Sequence, residues 1–149
     1  MSFVLELLNT PKFIQYIGDR GVRTPEQAVE FIETRFRKSY VDNGYGLYAV
    51  ELKESGMPVG ICGFVRRDTL PGPDLGFAFL PQHERKGYAY ESATAMMNYA
   101  REQLAFGRVL AITSLDNNGS IALLEKLGFT FDKLIDSSGE QIKLFSIDL

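Results

Sequence analysis

The chain has 149 residues, 45% of them hydrophobic and 23% charged, with a formal net charge of −3. These values describe an ordinary globular domain spanning residues 1–149, and they argue against broad contact with a nucleic-acid backbone, which calls for a basic face. One cysteine, Cys62, and one histidine, His83, allow neither an internal disulfide nor a zinc site of their own, and no apolar run reaches membrane-spanning length; the expectation is a cytoplasmic protein without metal, nucleic-acid or membrane partners.

Phe3 to Leu8 is a short apolar helical stretch, and Thr10-Pro11 caps a second helix that runs to about Ile17. Gly18-Asp-Arg-Gly21 breaks it. Thr24-Pro25-Glu-Gln27 repeats the cap, with Gln27 in the capping-box position, and Ala28, Phe31, Ile32, Arg35 and Phe36 follow at helical spacing to about Tyr40. The basic run Arg35 to Lys38 is read as a solvated helix end, where cations complement the dipole.

After the Asp42-Asn-Gly44 turn, Tyr45–Leu52 and Val59–Arg67 read as a hairpin, and Asp74–Leu80 as a third strand of an antiparallel meander. Pro81 ends that strand. From Gly87, apolar residues at helical spacing give a long helix ending near Gly107. Arg108–Ser114 is an apolar strand, Asn117–Leu127 a helix with Gly128 as its C-terminal glycine, and Phe129–Ile135 with Gln141–Asp148 a final hairpin around Ser137-Ser-Gly-Glu140. The order predicts an α+β fold, with the Asp74–Leu80 and Arg108–Ser114 strands parallel and joined by a right-handed crossover.

A strand that delivers the N-terminus of a helix builds an anion site, because the first N–H groups have no intrahelical partner and carry the positive end of the dipole. Arg85 and Lys86 add charge there, while Gly87 and Ala89 keep the backbone accessible. No Walker A loop and no Gly-x-Gly-x-x-Gly precede it, which lowers ATP and NAD as ligands and leaves another phosphate.

The residues that follow make the reading narrower. Leu75-Gly-Phe-Ala-Phe-Leu-Pro81 with Arg85-Lys-Gly-Tyr-Ala-Tyr-Glu-Ser92 resembles motif A of the GNAT superfamily of acetyl-CoA-dependent N-acetyltransferases, and Asn117-Asn-Gly-Ser-Ile-Ala-Leu-Leu-Glu-Lys-Leu-Gly-Phe129 resembles its motif B. The second motif is similar to that of the branch containing the RimJ/RimL-type ribosomal-protein alanine acetyltransferases. The resemblance implies a mixed, mostly antiparallel sheet flanked by helices, acetyl-CoA as cosubstrate, and a small-molecule or peptide amine as acceptor.

It also implies roles. Arg85, Lys86, Gly87, Tyr88 and Ala89 would hold the pyrophosphate; a bulge in the motif A strand would free N–H groups near Phe79 and Leu80 for the pantetheine arm and thioester; Asn117 would fix the arm. Asp74 is the candidate base and Ser120 the hydrogen-bond donor to the departing sulfur. His83 reads as a surface imidazole and Cys62 as a small buried thiol.

Three positions depart from the family pattern. Glu84 and Arg85 occupy the places of the usual Gln/Arg and first glycine of the turn, and Leu124 takes that of the tyrosine that serves many members as general acid. The family's opening strand has no counterpart before Phe3, so either that strand is absent or the sequence is truncated, and the Tyr45–Leu52 strand is expected to have an open edge, which a homodimer would cover. A CoA-binding module without catalysis is the second reading.

Overall fold

In the computed structural model, residues 2–137 and 139–149 are described. Six strands form one sheet: β1 (Leu47–Glu51), β2 (Pro58–Val65), β3 (Asp74–Phe79), β4 (Arg108–Ser114), β5 (Thr130–Ser137) and β6 (Glu140–Asp148), in the order β1-β2-β3-β4-β6-β5. Only β3 and β4 run parallel among the described residues. The expected α+β architecture, meander and final hairpin are present; Ser138 of the expected turn lies outside the described residues.

Helices α1 (Ser2–Leu8), α2 (Pro11–Tyr16), α3 (Pro25–Phe31) and α4 (Lys38–Asn43) precede the sheet, and α5 (Tyr88–Glu102) and α6 (Asn118–Leu127) flank β4 in sequence. The caps form as their residue types dictate. Thr10 Oγ1 accepts from the Phe13 N–H at 3.3 Å, and Thr24 with Gln27 closes a full capping box.

The expected single helix to Tyr40 is corrected in two ways. Ile32–Arg37 is wound as a π-helix between α3 and α4, and the helical run continues to Asn43, where left-handed Gly44 ends it. The wider winding lets Phe31 and Phe36, five residues apart, meet edge to face at 5.5 Å. A 3.6-residue period cannot reveal that extra residue.

Side chains alternate across the sheet and bury two cores. Phe64, Leu75, Val109 and Phe145 pack beneath α5 and α6 with Ala93, Met97 and Leu124. Ile61 and Leu80 pack on the other face against Leu7, Leu8, Phe13 and Ala28. Each large apolar side chain buried this way contributes roughly 1.5–3 kcal/mol, against the entropy of ordering the chain. β1 is an edge strand, as expected, and the Tyr40 hydroxyl of α4 donates to its Leu47 carbonyl.

Candidate active site

β3 and β4 make the cleft. β3 is paired with β2 without interruption from Val65↔Asp74 to Gly60↔Phe79, and β4 with β6 from Arg108↔Asp148 to Ser114↔Ile142. Between β3 and β4 the register holds one pair, Asp74↔Leu110, supported by the Leu110 N–H donating to the Pro73 carbonyl at 2.9 Å. Beyond it the two strands diverge.

The expected bulge in β3 is corrected: register shifts lie at Val50/Glu51 in β1 and Phe131/Lys133 in β5, and β3 has none against β2. The splay needs no bulge because each strand is held by its outer neighbour. A second correction concerns Leu80, whose N–H donates to the Val59 carbonyl at 2.9 Å and is not free. The antiparallel alternation then turns the N–H groups of Phe77 and Phe79 toward β4, where the ladder has stopped. The N–H groups of Phe77 and Phe79 thus face the cleft, while Leu80 contributes a buried side chain to the core.

The turn after β3 opens with the 3-10 segment Pro81–His83 and carries two left-handed residues, Arg85 at φ 61° and Gly87 at φ 82°. Gly87 is the N-cap of α5, and no side chain among the described residues caps that helix, so the N–H groups of its first turn, around Tyr88 and Ala89, stay available to an anion. Arg85 and Lys86 are exposed beside them. Glu84 turns away, held by Lys12 of α2 at 2.6 Å.

Asn117 caps α6: its Oδ1 accepts from the Ser120 N–H at 3.3 Å, leaving its amide nitrogen uncommitted among the described residues. Ser120 is half-buried in the first turn of that helix. Leu124, at the position of the family tyrosine, is buried in the core, so no hydroxyl stands there. The Cys62 thiol is pushed up to about 11, chiefly by burial, and is no nucleophile.

Asp74 is 1% exposed, and its two carboxylate oxygens accept from Arg67 Nε at 3.2 and 3.3 Å. Burial pushes its pKa up to about 6, with Arg67 opposing the shift. A carboxylate with that pKa is ionised at neutral pH yet basic enough to take a proton.

Three buried polar atoms, His83 Nδ1, Thr94 Oγ1 and Thr113 Oγ1, have no hydrogen-bond partner among the described residues. They lie on the turn, on α5 and on β4, the elements that border the cleft, and groups of this kind call for a polar ligand or water. An elongated thioester with amide and phosphate groups fits them, the Phe77 and Phe79 N–H groups and the uncapped helix. Thr94 and Thr113 carried no signal in the sequence, since threonine is ordinary in both settings.

The six-stranded mixed sheet, with its splayed parallel pair beside an uncapped helix, has the fold of solved acetyltransferases. The chain belongs to the GNAT acetyltransferase family, as the match of residues 1–130 to the acetyltransferase (GNAT) domain shows. The protein YkkB of Bacillus subtilis is 29% identical over 93% of this chain and 80% of its own length. The uncharacterized B. subtilis N-acetyltransferase YjdG is 32% identical over 69% of the chain and 62% of its own length. Among solved structures, an acetyltransferase from Agrobacterium tumefaciens superposes with a TM-score of 0.81 at 23% identity, covering 98% of this chain and 83% of that one. The spermidine N-acetyltransferase of Vibrio cholerae, in complex with CoA and spermine, gives 0.79 at 17% identity over 99% and 88%. At these identities the likeness to solved structures is one of fold. No helix among the described residues is long and apolar enough to cross a membrane.

Proposed function

We propose that this chain, acting as one domain in the cytoplasm, transfers acetyl from acetyl-CoA to a primary amine by direct attack, as a member of the RimJ/RimL-like branch. The observation that carries the reading is the single Asp74↔Leu110 pair, which leaves the Phe77 and Phe79 N–H groups facing an open cleft beside the uncapped start of α5. A Vibrio cholerae structure described as a ribosomal-protein-serine acetyltransferase supports the branch, with a TM-score of 0.72 at 22% identity over 85% of this chain and 76% of that one.

Each residue then has a task. Arg85, Lys86 and the first N–H groups of α5 hold the pyrophosphate, and the Asn117 amide orients the pantetheine arm. The Phe77 N–H, nearer Asp74 on β3, donates to the thioester carbonyl oxygen as negative charge builds on it, and the Phe79 N–H meets the pantetheine arm. Asp74 takes, through water, the proton that the amine nitrogen loses as its lone pair forms the new C–N bond. The C–S bond breaks, and the Ser120 hydroxyl donates to the sulfur, which leaves with the electron pair as thiolate.

Incubation with acetyl-CoA and a panel of amines and peptide N-termini, followed by release of free thiol, tests the proposal. Turnover on at least one amine is expected. The second reading, a CoA-binding module without catalysis, is motivated by the buried Leu124, and it wins if CoA binds normally while every amine fails.

A further inference from the structure

Helix α2 is tied to both lips of the cleft. Near its start the Lys12 Nζ donates to Glu84 Oε2 at 2.6 Å, in the turn that follows β3, and at its end the Tyr16 carbonyl accepts from Ser114 Oγ, the last residue of β4, at 3.0 Å. Six residues of helix, about 9 Å long, thus link the C-terminal ends of the two strands that diverge beyond Asp74↔Leu110. The helix is a firm support. Thr10 caps it and Phe13 is buried beneath it, so the Lys12 backbone is fixed relative to the turn.

An ion pair between side chains this open, 57% and 26% exposed, contributes little to stability. The place of its acidic member gives it another consequence. Glu84 stands three residues before Gly87, the N-cap of α5, whose first N–H groups no side chain among the described residues caps. A carboxylate tethered so closely is itself a ligand for those donors, because an anion is stabilised at a helix N-terminus and a short tether keeps its effective concentration on the order of millimolar. The charges of Arg85 and Lys86, in the same turn, would draw it the same way. Lys12 points it toward α2 instead.

We propose that Lys12 is a positioning residue for the cosubstrate: by holding Glu84 against α2 it keeps an internal carboxylate from taking the place of the pyrophosphate at the start of α5. This rests on the CoA-binding reading above. Lys12 acts only through Glu84. Its loss releases a competitor for the phosphate site, whereas loss of the Glu84 charge breaks the same contact and releases none.

The test is calorimetric titration of CoA into the wild-type protein, Lys12→Ala, Glu84→Gln and the double variant. Both single variants break one ion pair, and opposite results are expected from them. Lys12→Ala should weaken CoA binding about three- to fivefold at low salt, the loss narrowing as salt screens the carboxylate. Glu84→Gln should bind CoA at least as tightly as the wild type, and in that background Lys12→Ala should cost nothing. Lys12→Arg, which can still hold Glu84, should keep wild-type affinity. Equal losses in the two single variants would make the pair a brace for α2 and overturn the proposal. A loss in the double variant as large as that in Lys12→Ala would make Lys12 a direct phosphate ligand, which overturns it too, as does unchanged affinity in Lys12→Ala. A wild-type protein that binds no CoA rejects the CoA reading itself, and the proposal with it; CoA binding to the wild type with any of the other adverse results rejects the proposal alone.

Discussion

The Tyr40 hydroxyl of α4 donates to the carbonyl of Leu47 in β1, while its ring lies flat on Tyr48 at 5.1 Å and 6°. A helix thereby occupies one of the outward backbone groups of an edge strand. The alternation with β2 leaves the outward groups of Ala49 and Glu51 open.

Tyr40→Phe keeps the ring stack and deletes the plug. The expected loss is about 1 kcal/mol of stability, with a larger fraction of dimer as protein concentration rises. Chemical denaturation and sedimentation velocity measure the two. Unchanged self-association would mean that β1 is not the surface through which copies meet.

Asp74 links chemistry to stability. Its folded pKa of about 6 stands above the ordinary 3.8, so the folded state binds the proton more tightly. The corresponding stability is fully present below pH 3.8 and is lost as pH rises through about 6, by on the order of 3 kcal/mol. Asp74→Asn should flatten the stability curve between pH 4 and 6 and lower kcat about a hundredfold, while wild-type kcat/KM climbs through pH 6. A variant that keeps wild-type turnover would assign proton removal to water alone or another group.

The sequence and the structure agree where the signal is local. Thr10, Thr24 and Asn117 accept the N-cap bonds their residue types announce, Gly128 adopts φ 100° at the end of α6, and the alternating strands pair as read. The cleft itself is less legible. That Leu80 donates to Val59, and that Phe77 joins Phe79 as a free donor, depends on register, which alternation alone does not set. The Arg67–Asp74 ion pair ties the loop after β2 to the start of β3, and no spacing rule announces it.

Two glycines separate close approach from open space. A Cβ on Gly63 would run into the Gly46 carbonyl oxygen, a backbone atom that cannot swing aside, whereas one on Gly72 meets nothing within 4 Å. Gly63→Ala should therefore force β1 from β2 and cost about 1–3 kcal/mol, with Gly72→Ala close to neutral. Thermal unfolding of both variants makes the comparison, and equal midpoints would contradict the packing at Gly46.

Arg85 sits at φ 61°, a conformation that disfavours side chains, in a turn proposed to bind pyrophosphate. Stability and ligand affinity should consequently move in opposite directions. Arg85→Gly removes the strain and the charge together: the expected result is a gain of roughly 0.5–1 kcal/mol in stability and a CoA affinity lower by about five- to tenfold at low salt, the gap narrowing as salt screens the phosphate. Arg85→Ala removes the charge but keeps the strain, so its affinity should fall equally with no gain in stability. Calorimetric CoA titrations at two salt concentrations, paired with denaturation curves, separate the two contributions. Wild-type CoA affinity in both variants would show that the backbone N–H groups of α5 and Lys86 bind the phosphate without help from Arg85.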